Sequence, residues 1–167
     1  ARKFLVAGQG GLNLTHSEAP EKFLNRYTPS EFIKPAFLRY SNVGFRDWLQ
    51  NCGIETKVGS SGRVFPAGTL KPVQVLEILK KRAEDRGVIF KYKHEWKGFD
   101  ANKSLIFDNN STHIIVASKK TVFCLGGASW PVTGTKGEWT EYFLKQGVKS
   151  NAFGASNCTV LVNWPDS

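Results

Sequence analysis

A β-branched run, Thr121-Val122-Phe123, breaks almost at once into CLGGASWPVTGT, residues 124–135. The same kind of break stands near the start, where Phe4-Leu5-Val6-Ala7 runs into Gly8, Gly10 and Gly11. Glycine lets the main chain take positive φ and come close to a neighbour or a ligand. A strand that runs straight into small, polar, kinked residues presents its backbone to something. Gly126 and Gly127, at the carboxyl end of an expected strand, stand where open α/β sheets bind ligands.

Hydrophobic periodicity fills in the rest. Residues 4–7 read as a short buried strand and 8–13 as a glycine-rich loop. Pro20–Arg26 reads as a short helix. Ile33, Phe37, Tyr40, Phe45, Trp48 and Leu49 recur at helical spacing, which predicts one helix over 31–51, with Gly44 as its weak point and Gly53 as its stop. Residues 54–66 look extended and turn-rich. Pro72 fits a first helical position, and Val73, Leu76, Leu79 and Ala83 mark the expected buried face of a helix ending at Gly87. Val88, Phe90 and Tyr92 alternate as in a strand. Further strands are expected at 104–107 and 113–117, with DNNS as the turn between them, and again at 121–125 and 159–162. A helix is expected over 137–146. The order is mixed α/β, with half of a βαβ unit at 71–92 and no opening half before it.

The 167 residues are the size of one ordinary domain, and at 41% apolar they can pack a core. No stretch reaches the roughly 18 apolar residues of a membrane span, so no membrane partner is expected. Cys52, Cys124 and Cys158 are odd in number and widely spaced, without a CxxC or Cys/His cluster. They read as reduced thiols of a cytoplasmic protein, and no metal site is expected. Sequons such as those at Asn13, Asn110 and Asn157 would matter only after secretion. The net charge of +9 invites a basic binding module for nucleic acid or protein as the alternative reading. Its densest cluster, Lys80-Lys81-Arg82, is interrupted by Glu77, Glu84 and Asp85, which favours a solvated helix face.

The usual catalytic signatures are missing. Ser129 lies in GASWP, which is not the GxSxG elbow. His16, His94 and His113 are isolated from any carboxylate or thiol at a spacing that would imply a triad, and they read as ordinary surface or core residues. No HExxH, Walker A or paired-carboxylate pattern is present. Three unusual loops remain. The first, LVAGQGGLNLTH, carries Gly8, Gly10 and Gly11 followed by Asn13 and Thr15, whose amides and side chains can hydrogen-bond a planar, acceptor-rich ring. The second, GRVFP, sets Arg63, a fixed cation, beside Val64, Phe65 and Pro66. The third is the segment around Gly126 and Gly127.

Taken in order, ARKFLVAGQGGLNLTHSE, GRVFPAGTLKP and LGGASWPVTGTKGEW resemble the aminoacetone oxidase family of FAD-binding enzymes. The likeness runs over essentially the whole chain and continues into FGASNCTVLVNW. It implies a partial Rossmann-like FAD-binding domain with a small β-meander, incomplete as given. Residues up to about 155 would belong to that domain, and 156–167 would lead toward an inserted domain. The resemblance implies that Gly126, Gly127, Ser129, Pro131, Thr133 and Gly134 line the dinucleotide. It implies that Arg2 and Lys3 stand near the adenosine ribose, and that Trp96 lies where adenine is touched. Gly8 to Thr15 would lie beside the flavin, with Arg63 to Pro66 on its substrate side and Arg63 as the catalytic candidate. Gly11 and Leu12 occupy places where the commoner family pattern has Arg and Cys, so a cation and a thiol near the flavin are lost. A GxGxxG turn, the pyrophosphate site of such folds, would be expected ahead of Ala1. The chain thus reads as the middle of an FAD-dependent oxidoreductase. The remainder of the same polypeptide would be its partner, and exposed strand edges would favour self-association of the piece.

Overall fold

The computed structural model describes residues 2–6, 11–110, 112–128, 131–134 and 136–154. They form two compact units, Ala1–Ile89 and Phe90–Ser167. The fold is mixed α/β of Rossmann type, with two small antiparallel sheets, one in each unit.

The first unit runs α1 (Arg2–Val6), β1 (Thr15–His16), α2 (Pro20–Leu24), α3 (Ser30–Arg39), α4 (Asn42–Asn51), β2 (Thr56–Val58), β3 (Arg63–Pro66) and α5 (Pro72–Glu84). Its sheet has the order β1-β3-β2. Its core is Leu12, Leu49, Ile54 and Val75, and Phe4, Leu14, Phe45, Trp48, Ile78 and Leu79 pack around it. Leu49, Ile54 and Val75 are fully buried, so each contributes roughly 1.5–3 kcal/mol of transfer free energy.

Several elements depart from the sequence expectation. The stretch expected as a strand at 4–7 is helical over Arg2–Val6, with Phe4 turned into the core. Short apolar runs carry no period that separates strand from helix, and packing decides. The single helix expected over 31–51 is two. Tyr40 leaves the helical region at φ −147° and ψ 77°, and Ser41 then caps α4 by accepting a hydrogen bond from the Gly44 amide at 3.3 Å. Gly44 therefore stands in the first turn of a helix, where its low propensity costs little.

Helix α5 begins at Pro72 as expected, and the Lys71 amide donates to Gln74 Oε1 at 2.8 Å. Its buried face differs from the expected one. Val75 is fully buried and Ile78 and Leu79 pack on the core, whereas Val73 is 44% exposed. The helix ends in a Schellman turn at Gly87, with the Val88 amide bonded to the Ala83 carbonyl at 3.1 Å.

The second unit contains β4 (Glu95–Phe99), β5 (Leu105–Asn109), β6 (Thr112–Val116) and α6 (Trp139–Leu144). The three strands form a meander in the order β4-β5-β6, in which β5 and β6 match expected strands and β4 matches none. Its apolar centre is aromatic. The Trp96 ring lies 5.3 Å from Phe99, 4.8 Å from Phe123, 5.2 Å from Tyr142 and 5.4 Å from Phe143, centroid to centroid. Strand β4 bulges between Trp96 and Gly98. At the bulge Gly98 is buried with φ +106°, and a Cβ there would come within 3.0 Å of Tyr142 Cδ1.

Two expected strands are not formed. Residues 88–92 are irregular, Ile89 and Tyr92 are 77% and 61% exposed, and the strand begins only at Glu95. Residues 121–125 are irregular as well, with Val122 85% exposed. Alternation describes which side chains would face a core, but a strand also has to join a sheet, and the two sheets of the described residues are built from other segments. The strand expected at 159–162 and Cys158 lie outside the described residues.

Candidate functional site

In the first unit, two of the three loops singled out in the sequence meet in one sheet. Thr15 pairs with Val64 and His16 with Arg63. The Leu14 amide donates to the Val64 carbonyl at 2.8 Å. Leu12 and Val64 are buried, and Gly11, Asn13 and Arg63 are exposed. Pro66 is buried at the strand end and pairs with Thr56 of β2. Phe65 lies between two glycines. A Cβ on Gly11 would stand 3.2 Å from Phe65 Cε1, and one on Gly59 would stand 3.0 Å from Cε2. Gly11 has φ +105°, so it satisfies both the close approach and the backbone conformation.

The polar side chains of this platform are uncommitted. Among the described residues Asn13, Thr15 and Arg63 make no side-chain hydrogen bond or ion pair. They offer an amide, a hydroxyl and a guanidinium along the joined β1–β3 segments. Arg2 and Lys3 lie on α1, Arg2 exposed and Lys3 half-buried. Gly8 and Gly10 lie outside the described residues.

In the second unit a cleft of about 510 Å³ is lined by His94, Trp96, Lys97, Gly134, Trp139 and Tyr142, among others. Here Trp96 and Gly134, both singled out in the sequence, come together. The indole Nε1 atoms of Trp96 and Trp139 are buried and, among the described residues, have no hydrogen-bond partner. His94 Nδ1 lies 2.6 Å from the Tyr92 carbonyl, so Nδ1 carries the proton and Nε2 is left as an acceptor. Lys97 Nζ is held by Glu95 Oε1 at 2.6 Å, and its pKa is raised chiefly by that hydrogen bond. Gly126, at φ +73°, and Gly134 both face open space where a Cβ would stand. A Cβ on Gly127 would lie 3.8 Å from the Phe153 ring. Pro131 and Thr133 form a single 3₁₀ turn, closed by the Gly134 amide on the Pro131 carbonyl at 3.0 Å. Ser129 lies outside the described residues.

Three features escaped the sequence reading. His94 and Trp139 line the cleft, and His16 is built into the sheet rather than isolated. One partner of its ring, the Ser61 carbonyl, is distant in sequence, so no local pattern marks it. The basic cluster on α5 loses most of its claim on a polyanion. Lys80 pairs with Glu84 at 3.4 Å and Lys81 with Asp85 at 2.9 Å. Among the described residues no group of three or more His, Cys, Asp or Glu could hold a metal ion, and no helix is long and apolar enough to cross a membrane. Cys52 and Cys124 are free thiols, half-buried and exposed.

The family described as the HI0933-like protein Rossmann domain matches residues 1–153. The chain belongs to that family. HI0933-like Rossmann domains are in general FAD-binding domains of oxidoreductases. The match covers both the β1–β3 platform and the aromatic cleft. No curated protein matches the chain significantly.

Proposed function

We propose that this chain binds the flavin and adenosine parts of FAD within an FAD-dependent oxidoreductase of the aminoacetone oxidase kind. The observation that carries the reading is the pairing of β1 with β3. It joins the loop that carries Gly11, Asn13 and Thr15 to the strand that carries Arg63, as a flavin site built from these two loops requires.

The residues present fit the cofactor by chemical type. Among the described residues two buried indole N–H groups lack acceptors, and His94, whose Nδ1 faces the Tyr92 carbonyl, can offer Nε2 as an acceptor when neutral. Adenine supplies ring-nitrogen acceptors and one amino donor. Trp96, Trp139 and His94 would hold it, with Gly126, Gly127 and Gly134 leaving room for the dinucleotide. On the platform, Asn13 and Thr15 would bond the polar edge of the isoalloxazine, and Gly11 would let the main chain approach it. Arg63 would orient an anionic substrate and stabilise negative charge near the ring. FAD, when bound, supplies the two-electron chemistry. The chain supplies orientation, a fixed cation and shelter from water.

Absorbance of the full-length protein tests the reading directly. Visible flavin bands that survive desalting, and weaken in Arg63→Ala, are the expected result. A colourless protein that gains no such bands on addition of FAD would overturn it.

A further inference from the structure

His16 stands on β1 of the proposed flavin platform, but its side chain has no role assigned there. Its ring is held on both sides. Nδ1 accepts the Glu18 amide at 3.2 Å, and Nε2 faces the Ser61 carbonyl at 3.0 Å. An amide can only donate and a carbonyl can only accept, so the neutral ring carries its proton on Nε2. The backbone of His16 is also fixed. Asn42, 4% exposed at the start of α4, donates through Nδ2 to the His16 carbonyl at 2.8 Å and to the Glu18 carbonyl at 2.9 Å.

The partner of the imidazole is the turn between β2 and β3. That turn is closed by Gly59 N–H on the Arg63 carbonyl at 2.8 Å and Gly62 N–H on the Gly59 carbonyl at 2.9 Å. The Ser17 amide adds a bond to the Gly62 carbonyl at 2.8 Å. Gly62 has φ +77°, and a Cβ on it would stand 2.7 Å from two atoms of the His16 ring. Only glycine lets the imidazole sit so close to this turn. The next residue is Arg63, paired in register with His16 itself.

We infer that His16 is a positioning residue: its Nε2–H form clamps the 59–62 turn, and through that turn it fixes where Arg63 stands. The last step rests on the proposed flavin role of Arg63; the clamp does not.

The full-length protein carries the test. Nitrogen-15 NMR at pH 8 should find His16 protonated on Nε2 and bare on Nδ1, and the opposite tautomer would overturn the clamp. Hydrogen exchange at the Ser17 and Gly62 amides should accelerate about tenfold or more in His16→Leu, which keeps bulk but has no donor. His16→Gln, which keeps a donor within reach of Ser61, should restore much of the protection. Equal exchange in the wild type and both variants would overturn the clamp. A double-mutant cycle with FAD as the probe then reads the coupling. Arg63→Ala should weaken FAD binding about tenfold in the wild type and less than about threefold beside His16→Leu. The same factor in both backgrounds would show that His16 does not act through Arg63. If no variant binds FAD, the flavin reading fails, and tautomer and exchange still decide the clamp.

Discussion

Gly11 lies against the ring of Phe65, and a Cβ built on it would come within 3.2 Å of Phe65 Cε1. The contact joins the first glycine loop to the GRVFP strand, and it gives the glycine two reasons to be there. Gly11→Ala should lower the stability of the first unit by at least about 1 kcal/mol, because φ +105° strains any L side chain. Phe65→Leu made together with it relieves the ring contact but not the backbone. Urea titration should therefore find the double variant still less stable than Phe65→Leu alone. If Phe65→Leu abolished the penalty, the backbone argument would fail.

The face of α5 makes a second prediction. Val75 is fully buried and Val73 is 44% exposed. Val75→Ala should cost about 2 kcal/mol from lost transfer energy and a cavity. Val73→Ala should stay within about 0.5 kcal/mol. Chemical denaturation of the two variants side by side checks it, and equal losses would mean that the helix presents a different face.

The same helix shows what the sequence could and could not carry. Pro72 and Gly87 mark its ends through local backbone chemistry, and both were legible. Its buried face was not, because Val73 and Val75 are alike as side chains and the rotation of the helix is set by what packs on it. The break between α3 and α4 was hidden for a related reason: apolar spacing continues across Tyr40 and Ser41 while the backbone does not. Val88, Phe90 and Tyr92 alternate as a strand does, yet alternation supplies no hydrogen-bond partner. At the candidate site, the loops themselves were legible through Gly11, Asn13 and Arg63. Their meeting was not, since the Leu14–Val64 bond links positions that share no local pattern. His16 failed in the same way. It looks isolated along the chain and is clamped in space.

Glu18 predicts an acid dependence. Arg26 grips its carboxylate with Nε on Oε1 and Nη2 on Oε2, the latter at 2.9 Å. The hydrogen bond from Arg26 is the main cause that holds the Glu18 carboxyl below its ordinary value of 4.5, with the charges of Arg26, His16 and Lys22 adding to it. A depressed carboxyl stabilises the fold once pH is above its unfolded value, and that stabilisation is lost as pH falls through the folded one. The contribution is therefore complete at neutral pH and disappears below about 4.5. Wild type should exceed Glu18→Gln in melting temperature at pH 7, and the gap should close in acid. The pair is solvent-exposed on the Arg26 side, so the gap should be small and should shrink in salt. A gap that widens toward acid would contradict the sign.

The bulge in β4 gives the sharpest prediction for the second unit. Gly98 combines burial, φ +106° and a Cβ position 3.0 Å from Tyr142 Cδ1, while Trp96 beside it packs on Phe99, Phe123, Tyr142 and Phe143. Gly98→Ala has to strain the backbone and push the Tyr142 ring at once, and the ring cannot move without disturbing Trp96. The expected cost is about 2–3 kcal/mol, at the upper end for a single methyl. Tyr142→Ala would clear the contact, so adding it should make the Gly98→Ala penalty smaller than in the wild type while leaving the φ strain in place. Trp96 can report the loss through tryptophan fluorescence during denaturation, in a background where Trp48, Trp130, Trp139 and Trp164 are replaced by Phe. A Gly98→Ala variant with wild-type stability would show that the bulge relaxes freely, and the packing of the aromatic cleft would then have to be rigid for some reason other than this glycine.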